Sequence, residues 1–360
     1  MISLSAIAAN YHVLAGRAGG ARLMPVLKAD GYGHGAVPIA RRLVSEGADR
    51  FAVSIAAEGI ALRRAGIAGE VLLLNHSEPS DAATCQGYGL TATLYDLAQA
   101  GAYAEATRGF SRPLPVHLKV DTGMGRLGIL PSQIGEMADL LRRSPGLALT
   151  GTLTQLGRAD EADPSPTRRQ IETMDAALET LRAAGLDPGL VHVANSAGVL
   201  WHPGIWFDAV RPGIALYGIS PSPSAEEPDL TPAMSLETSV MAVRPLSAGS
   251  HAGYGTAFTA RRASTVAVLP IGYDDGLRRS FSGRVSVLLR GARAPIVGAV
   301  SMDMTLVDAT DCGAAPGDFA VLLGAQGDER VTAWDLARAA ATIPWEIVCG
   351  IGSRVPRVYS

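Results

Sequence analysis

The chain has 360 residues, is 48 % hydrophobic and 18 % charged, and carries a formal net charge of −3. That balance makes no electrostatic case for nucleic acid or an anionic membrane, and no apolar run approaches the about 18 residues of a membrane-crossing helix. Cys85, Cys312 and Cys349 are far apart and in no Cys-x-x-Cys spacing, which argues against disulfides or zinc and suits a reducing cytoplasm. The sequence opens without a basic segment followed by an apolar one, so neither secretion nor membrane insertion is expected.

Residues 5–15 read as a helix with Ser5 as N-cap. The stretch Arg22-Leu-Met-Pro-Val-Leu-Lys28 reads as a short buried strand that ends on a lysine, and Ala36–Glu46 as the helix after it. Short apolar strands and amphipathic helices then alternate. The strands are Phe51–Ile55, Val71–Asn75, Leu90–Thr93, Pro115–Val120, Leu147–Leu153, Leu190–Ala194 and Trp206–Val210. The helices between them include Ala56–Ala65, Pro131–Arg143 and Thr167–Ala184. Eight strand–helix units of this length predict an α/β fold, an N-terminal (β/α)8 TIM-type barrel over residues 1–222, with a doubly wound open sheet as the competitor. Ser220–Thr231, rich in proline, serine and acid, reads as a linker. Beyond it the pattern turns mostly β over residues 232–360. Strands are expected at Ser235–Arg244, Thr265–Ile271, Val285–Arg290, Ala294–Val300, Thr305–Val307 and Phe319–Leu323, with one helix near Ala333–Ala341.

Lys28 is followed by Ala-Asp-Gly-Tyr-Gly-His-Gly35. A lysine at a strand's carboxyl end is partly desolvated, which frees its amine as a nucleophile. Glycines let backbone N–H groups approach an anion, and the Tyr32 phenol can donate to the same anion. An amine beside an anion cradle suits a phosphate-bearing aldehyde, of which pyridoxal 5'-phosphate (PLP) is the obvious one, while a plain glycine turn with Lys28 reaching to water is the commoner reading of such residues. Gly123-Met-Gly-Arg-Leu-Gly128 matches a dinucleotide fingerprint only superficially, since Pro131 stands where the helix must already be running. Lys119-Val-Asp-Thr-Gly-Met-Gly-Arg126 instead puts two cations and a carboxylate at one strand end, where a salt-bridged loop is the plain alternative. Asn195-Ser-Ala-Gly198 and Arg211-Pro-Gly-Ile214 follow the last two strands, where barrels often bind phosphate. Capping by Ser196 is the plainer reading of the first of these. The seven histidines, His76 among them, show no metal spacing, so satisfied core or surface residues are expected, with no metal. Tyr254 sits in a turn between Gly253 and Gly255, as an ordinary turn tyrosine would.

Taken together, these stretches resemble the alanine racemase family over nearly the whole chain. The likeness rests on Val26–Gly35, Lys119–Gly128, Asn195–Gly198 and Arg211–Gly218. In the second half it adds Gly253-Tyr-Gly255, Ile271-Gly-Tyr-Asp-Asp-Gly276, Ser301-Met-Asp303 and Arg354-Val-Pro-Arg357. The resemblance implies a cytoplasmic, homodimeric, PLP-dependent enzyme that interconverts L- and D-alanine for peptidoglycan. Lys28 would hold PLP as a Schiff base and act as one base, and Tyr254 from the other subunit as the second. Tyr32, Ser196 and the backbone at Gly213 and Ile214 would bind phosphate. Arg211 would face the pyridine nitrogen and Arg126 the phenolic oxygen, with Lys119 at a position carbamylated in many relatives. Met302 would sit by the substrate carboxylate, and Tyr273 would line the entrance. Gln155 stands where the family usually stacks a histidine on the cofactor, Ser353 where a tyrosine is frequent, and Ser301 where cysteine is common. The opening Ile2-Ser-Leu-Ser is expected to lack the short first strand that relatives add to the β-domain. A racemase of another amino acid, such as serine, and a non-catalytic PLP-binding protein are the rival readings.

Overall fold

The computed structural model describes residues 1–75, 78–224, 229–255 and 257–360. His76, part of the proline- and acid-rich segment (225–228) and Thr256 beside the Tyr254 turn lie outside the described residues. The chain divides into two compact units. One is Ile7–Gly31 with Gly35–Thr231; the other is Met1–Ala6, Tyr32–His34 and Pro232–Ser360.

The first unit is a barrel of parallel strands: β1 Arg22–Leu23, β2 Arg50–Val53, β3 Glu70–Leu73, β4 Ala92–Leu94, β5 Leu114–Lys119, β6 Leu147–Leu153, β7 Leu190–His192 and β8 Ala209–Val210. Six of them hydrogen-bond in the order β1-β8-β7-β6-β5-β4, and β2 pairs β3. Parallel bridges Val26–Ala52 and Leu72–Thr91 join the two sets and close the ring, which excludes the open sheet. β1 is shorter than its apolar run because Pro25 has no N–H to give to a ladder; its carbonyl still accepts from the Ala52 amide at 3.0 Å. Helices pack outside through apolar stripes. The longest helix of the barrel, Ser165–Ala183, buries Met174, Ala177, Leu178 and Leu181, three and four residues apart. Functional groups therefore collect where the strands end, at the carboxyl-side mouth.

The second unit is an antiparallel sheet: β9 Leu236–Ser239, β10 Ala242–Leu246, β11 Ser264–Leu269, β12 Ser286–Leu289, β13 Ala292–Val297, β14 Thr305–Asp308, β15 Phe319–Gln326 and β16 Glu329–Val331. Its order is β10-β11-β14-β13-β12-β15-β16, with β9 also on β15. The single strand expected over Ser235–Arg244 is two strands. The chain changes partner at Val240, whose amide goes to Asp318, and at Met241, whose amide goes to Val268. Sequence patterning also passes over β16 and the helix Pro344–Cys349. The expected missing first strand is present in vestigial form, because Ile2 bridges Met234 antiparallel and Tyr359 parallel.

Candidate active site

Lys28 enters a turn unlike an ordinary glycine loop. Ala29, Asp30, Gly31 and Tyr32 have φ of 53°, 50°, 63° and 53°, a full left-handed turn of which only one residue is glycine. Such a conformation costs roughly 1–2 kcal/mol per non-glycine residue, so the surroundings must impose it. The Glu58 carboxylate accepts from the amides of Ala29 and Ser54, each at 2.7 Å. Asp30 Oδ1 accepts from the Ala36 amide at 2.8 Å, and the Gly31 amide reaches Leu27 O at 2.8 Å. In the second unit, a Cβ on Gly33 would lie 2.4 Å from Val348 O, so only glycine fits there. Arg357 gathers the carbonyls of Gly33, Ile351, Gly352 and Val355 and so fixes the segment bearing the buried Tyr32.

Arg211 follows β8 and is buried, without a carboxylate partner among the described residues. Nη1 donates to His192 Nδ1 at 2.7 Å and His192 O at 2.6 Å. Nη2 donates to Thr154 O at 2.6 Å, Val193 O at 3.2 Å and Gln155 Oε1 at 3.4 Å. Burial pulls its pKa down to about 10, so the guanidinium stays charged at neutral pH. A guanidinium only donates, so His192 Nδ1 must accept and its hydrogen sits on Nε2. That nitrogen lies 2.8 Å from His117 Nδ1. His117 Nε2 then faces Glu70 Oε1 at 3.1 Å, and Glu70 also pairs with Arg50 at 3.3 Å. Burial, then the Arg211 charge, holds His192 well below the ordinary histidine pKa, hence neutral. The two imidazoles meet across β6 because Gly151 lies between them; a Cβ there would come within 2.6 Å of the His117 ring. Both histidines are thus the satisfied core residues expected, but they link the mouth of the barrel to its amino-side rim.

Lys119, at the end of β5, is 3 % exposed, with Nζ 3.3 Å from Leu74 O and from Asn75 Oδ1. Desolvation, then the cations Arg211, Arg126 and Lys28, lower its pKa to about 8. The loop after it is not the salt-bridged one. The Asp121 carboxylate accepts from the amides of Gly123, Met124 and Gly125, and Arg126 projects into solvent. Gln155 follows β6, half-buried, with its Oε1 turned to Arg211. Asn195, not Ser196, caps the helix Ser196–Trp201. Ser196 is buried and its Oγ accepts from the amides of Gly213 at 2.9 Å and Ala215 at 3.2 Å. Its own hydrogen is therefore free of that task, and the Ile214 amide opens a short 3₁₀ turn. Tyr254, Tyr273 and Met302 all belong to the second unit and are exposed, Tyr254 at 71 %. Sequence reasoning missed Glu58, Gly151, His117, His192 and Glu70. The available signal was parity: His117 and Lys119 are two residues apart and share a face of β5.

A parallel barrel with its cations at the strand ends, followed by an antiparallel β unit, defines a two-unit α/β-plus-β enzyme architecture. Comparison with known proteins gives the family. Residues 2–221 match the family model "Alanine racemase, N-terminal domain" and residues 233–359 the model "Alanine racemase, C-terminal domain". An alanine racemase of Symbiobacterium thermophilum is 43 % identical over 99 % of this chain and 96 % of its own. One of Thermobifida fusca is 41 % identical over 100 % and 97 %. The alanine racemase structure from Streptomyces lavendulae superposes with a TM-score of 0.95 at 35 % identity, covering 100 % of this chain and 96 % of that one. The Bacillus anthracis enzyme with bound L-Ala-P gives 0.94 at 34 %, covering 100 % and 94 %. The chain belongs to the alanine racemase family, and it is an isomerase acting on alanine. No helix among the described residues is long and apolar enough to cross a membrane. None of their His, Cys, Asp and Glu side chains form a metal-holding group.

Proposed function

We propose that this chain racemises alanine with PLP held at the barrel mouth, in a cytoplasmic homodimer that supplies D-alanine for peptidoglycan. The observation that carries this reading is that two cations, Lys119 at the end of β5 and Arg211 after β8, are both buried at strand ends of one barrel, with the buried Ser196 hydroxyl following β7. A mouth so charged, with Asp121 occupied by backbone amides, suits a dianionic phosphate and an amino-acid carboxylate. The donor types present suit PLP. Ser196 Oγ–H, Tyr32 Oη–H and the Ile214 amide would hold the phosphate, with Gly213 acting through its bond to Ser196. Arg211 spends Nη1 and Nη2 on protein acceptors, which would leave Nε–H to the pyridine nitrogen.

When bound, PLP supplies a sink for the electron pair left at Cα. Because Arg211 only donates, a ring nitrogen facing it would have to accept and so be unprotonated, which would weaken that sink and limit side reactions. Lys28 Nζ moves the Cα proton on one face, and the partner subunit's Tyr254 on the other, since inversion needs removal and return on opposite sides. Arg126 would face the phenolic oxygen and the substrate carboxylate. Gln155 would lie flat against the ring, unable to titrate where a histidine would. Met302 and Tyr273 would bound the substrate. The test is L-alanine in D2O with PLP-loaded protein: D-alanine should appear with deuterium at Cα, and Lys28→Ala should abolish both. No inversion and no exchange would overturn the assignment, and inversion of serine with alanine untouched would reassign the substrate.

A further inference from the structure

The racemisation chemistry leaves one ionic cluster of the β unit unused. Arg354 binds three carboxylates at once. Nε and Nη2 reach Asp275 at 2.6 and 3.1 Å, Nη2 reaches Asp303 at 2.7 Å, and Nη1 reaches Asp274 at 3.1 Å. Asp274 and Asp275 follow Tyr273 in one short turn, and Asp303 follows Met302 in another loop. The Asp275 side chain is only 11 % exposed and also closes its own turn by accepting from the Gly272 amide at 2.8 Å.

The two loops are in backbone contact. The Tyr273 amide donates to Ser301 O at 2.9 Å and the Asp274 amide to Met302 O at 3.2 Å. A Cβ on Gly272 would lie 2.2 Å from Met302 O, so the loops close only around glycine. Three carboxylates on touching loops repel one another, and the Arg354 fork is the charge that draws them together. The Asp275 and Asp303 bonds hold the Arg354 guanidinium above its ordinary pKa, so the cation persists at any working pH. Asp274, Asp303 and Arg354 are close to half exposed, and ion pairs in that setting add little to global stability. Local order is the better account of them.

We propose that Arg354 is a positioning residue for substrate binding, locking the Tyr273 and Met302 loops into one relative setting that presents a preformed surface to an α-amino carboxylate. This rests on Tyr273 and Met302 facing substrate. The probes are Asp303→Asn, which cuts only the link to the Met302 loop, and Arg354→Lys, which keeps the charge but lacks the fork. In the holoenzyme both should raise KM for L-alanine about fivefold or more with kcat within about threefold, the pattern of lost uniform binding. Amide exchange over 272–275 and 301–304 should quicken, with Tm unchanged. A lower Tm and kcat at constant KM would show a merely structural role and overturn the proposal. Tyr273→Ala and Met302→Ala are run beside them. If these raise KM while Asp303→Asn and Arg354→Lys do not, the clamp is overturned alone. If none of the four moves KM, the substrate-facing reading fails and the clamp with it.

Discussion

Two arginines show how differently the two units handle charge. Arg211, inside the barrel, has neutral acceptors around its two Nη groups, and burial lowers its pKa to about 10. Arg354, on the β unit, meets three carboxylates near water and is held above its usual value. The first is a rigid donor whose Nη hydrogens are assigned by its surroundings. The second pairs carboxylates carried by two loops that already touch through their backbones. The barrel thus buries its cation among neutral acceptors, and the β unit keeps its cation among carboxylates near water.

That division is broken most severely by removing one base from each unit. Lys28→Ala and Tyr254→Phe should each lower racemisation by about a thousandfold or more. If the two act across subunits, co-expression of both chains should restore about a quarter of full activity. Half of randomly assorted dimers are mixed, each with one intact site of two. No recovery in tagged mixed dimers would place both bases within one chain. The next effect is on stability. The folded pKa of Lys119 is lowered from 10.5 to about 8, so its buried charge is a penalty below that value. Between about pH 8 and 10.5 the unfolded chain binds the extra proton, and stability rises with pH. Relative to Lys119→Met, the apoprotein should gain about 3 kcal/mol across that window in urea titrations. A pH-independent difference would mean that the barrel does not hold a neutralisable amine there. The smallest effect sharpens the contrast from inside. Gly151→Ala should push the His117 ring from His192 and cost about tenfold in kcat/KM, about 1.4 kcal/mol. Nitrogen-15 spectra of His192 should show its tautomer becoming mixed. An unchanged spectrum would mean that the imidazole pair tolerates the methyl group.

The barrel was legible because each strand is an apolar run followed by a helix-forming stretch, and their number suits a closed barrel, but closure itself rests on the bridges Val26–Ala52 and Leu72–Thr91. Arg211 was legible at a strand end because it comes directly after β8, and Lys28 and Ser196 drew notice because each closes or follows an apolar run. The left-handed turn was not, since Ala29, Asp30 and Tyr32 carry no signal for it; the strain is imposed by Glu58, nearly thirty residues away. Gly151 read only as a strand glycine, and its purpose is visible only once β5 and β7 flank it. β16 follows from a turn at Gly327 too short for patterning to show.

The row from Arg211 through His192 and His117 to Glu70 admits one placement of its hydrogens. Every N–H points away from the mouth, because the guanidinium at its head has no lone pair to offer. The row is therefore a one-way conductor of polarity between the two rims of the barrel. Glu70 opens β3 at the amino-side rim, and its charge decides how firmly the last hydrogen is held. A substitution there would alter the row that ends on Arg211 without touching a single atom of the mouth. Screens that score only pocket-lining positions would file such a variant under folding, when what changed was how firmly the last hydrogen of the row is held.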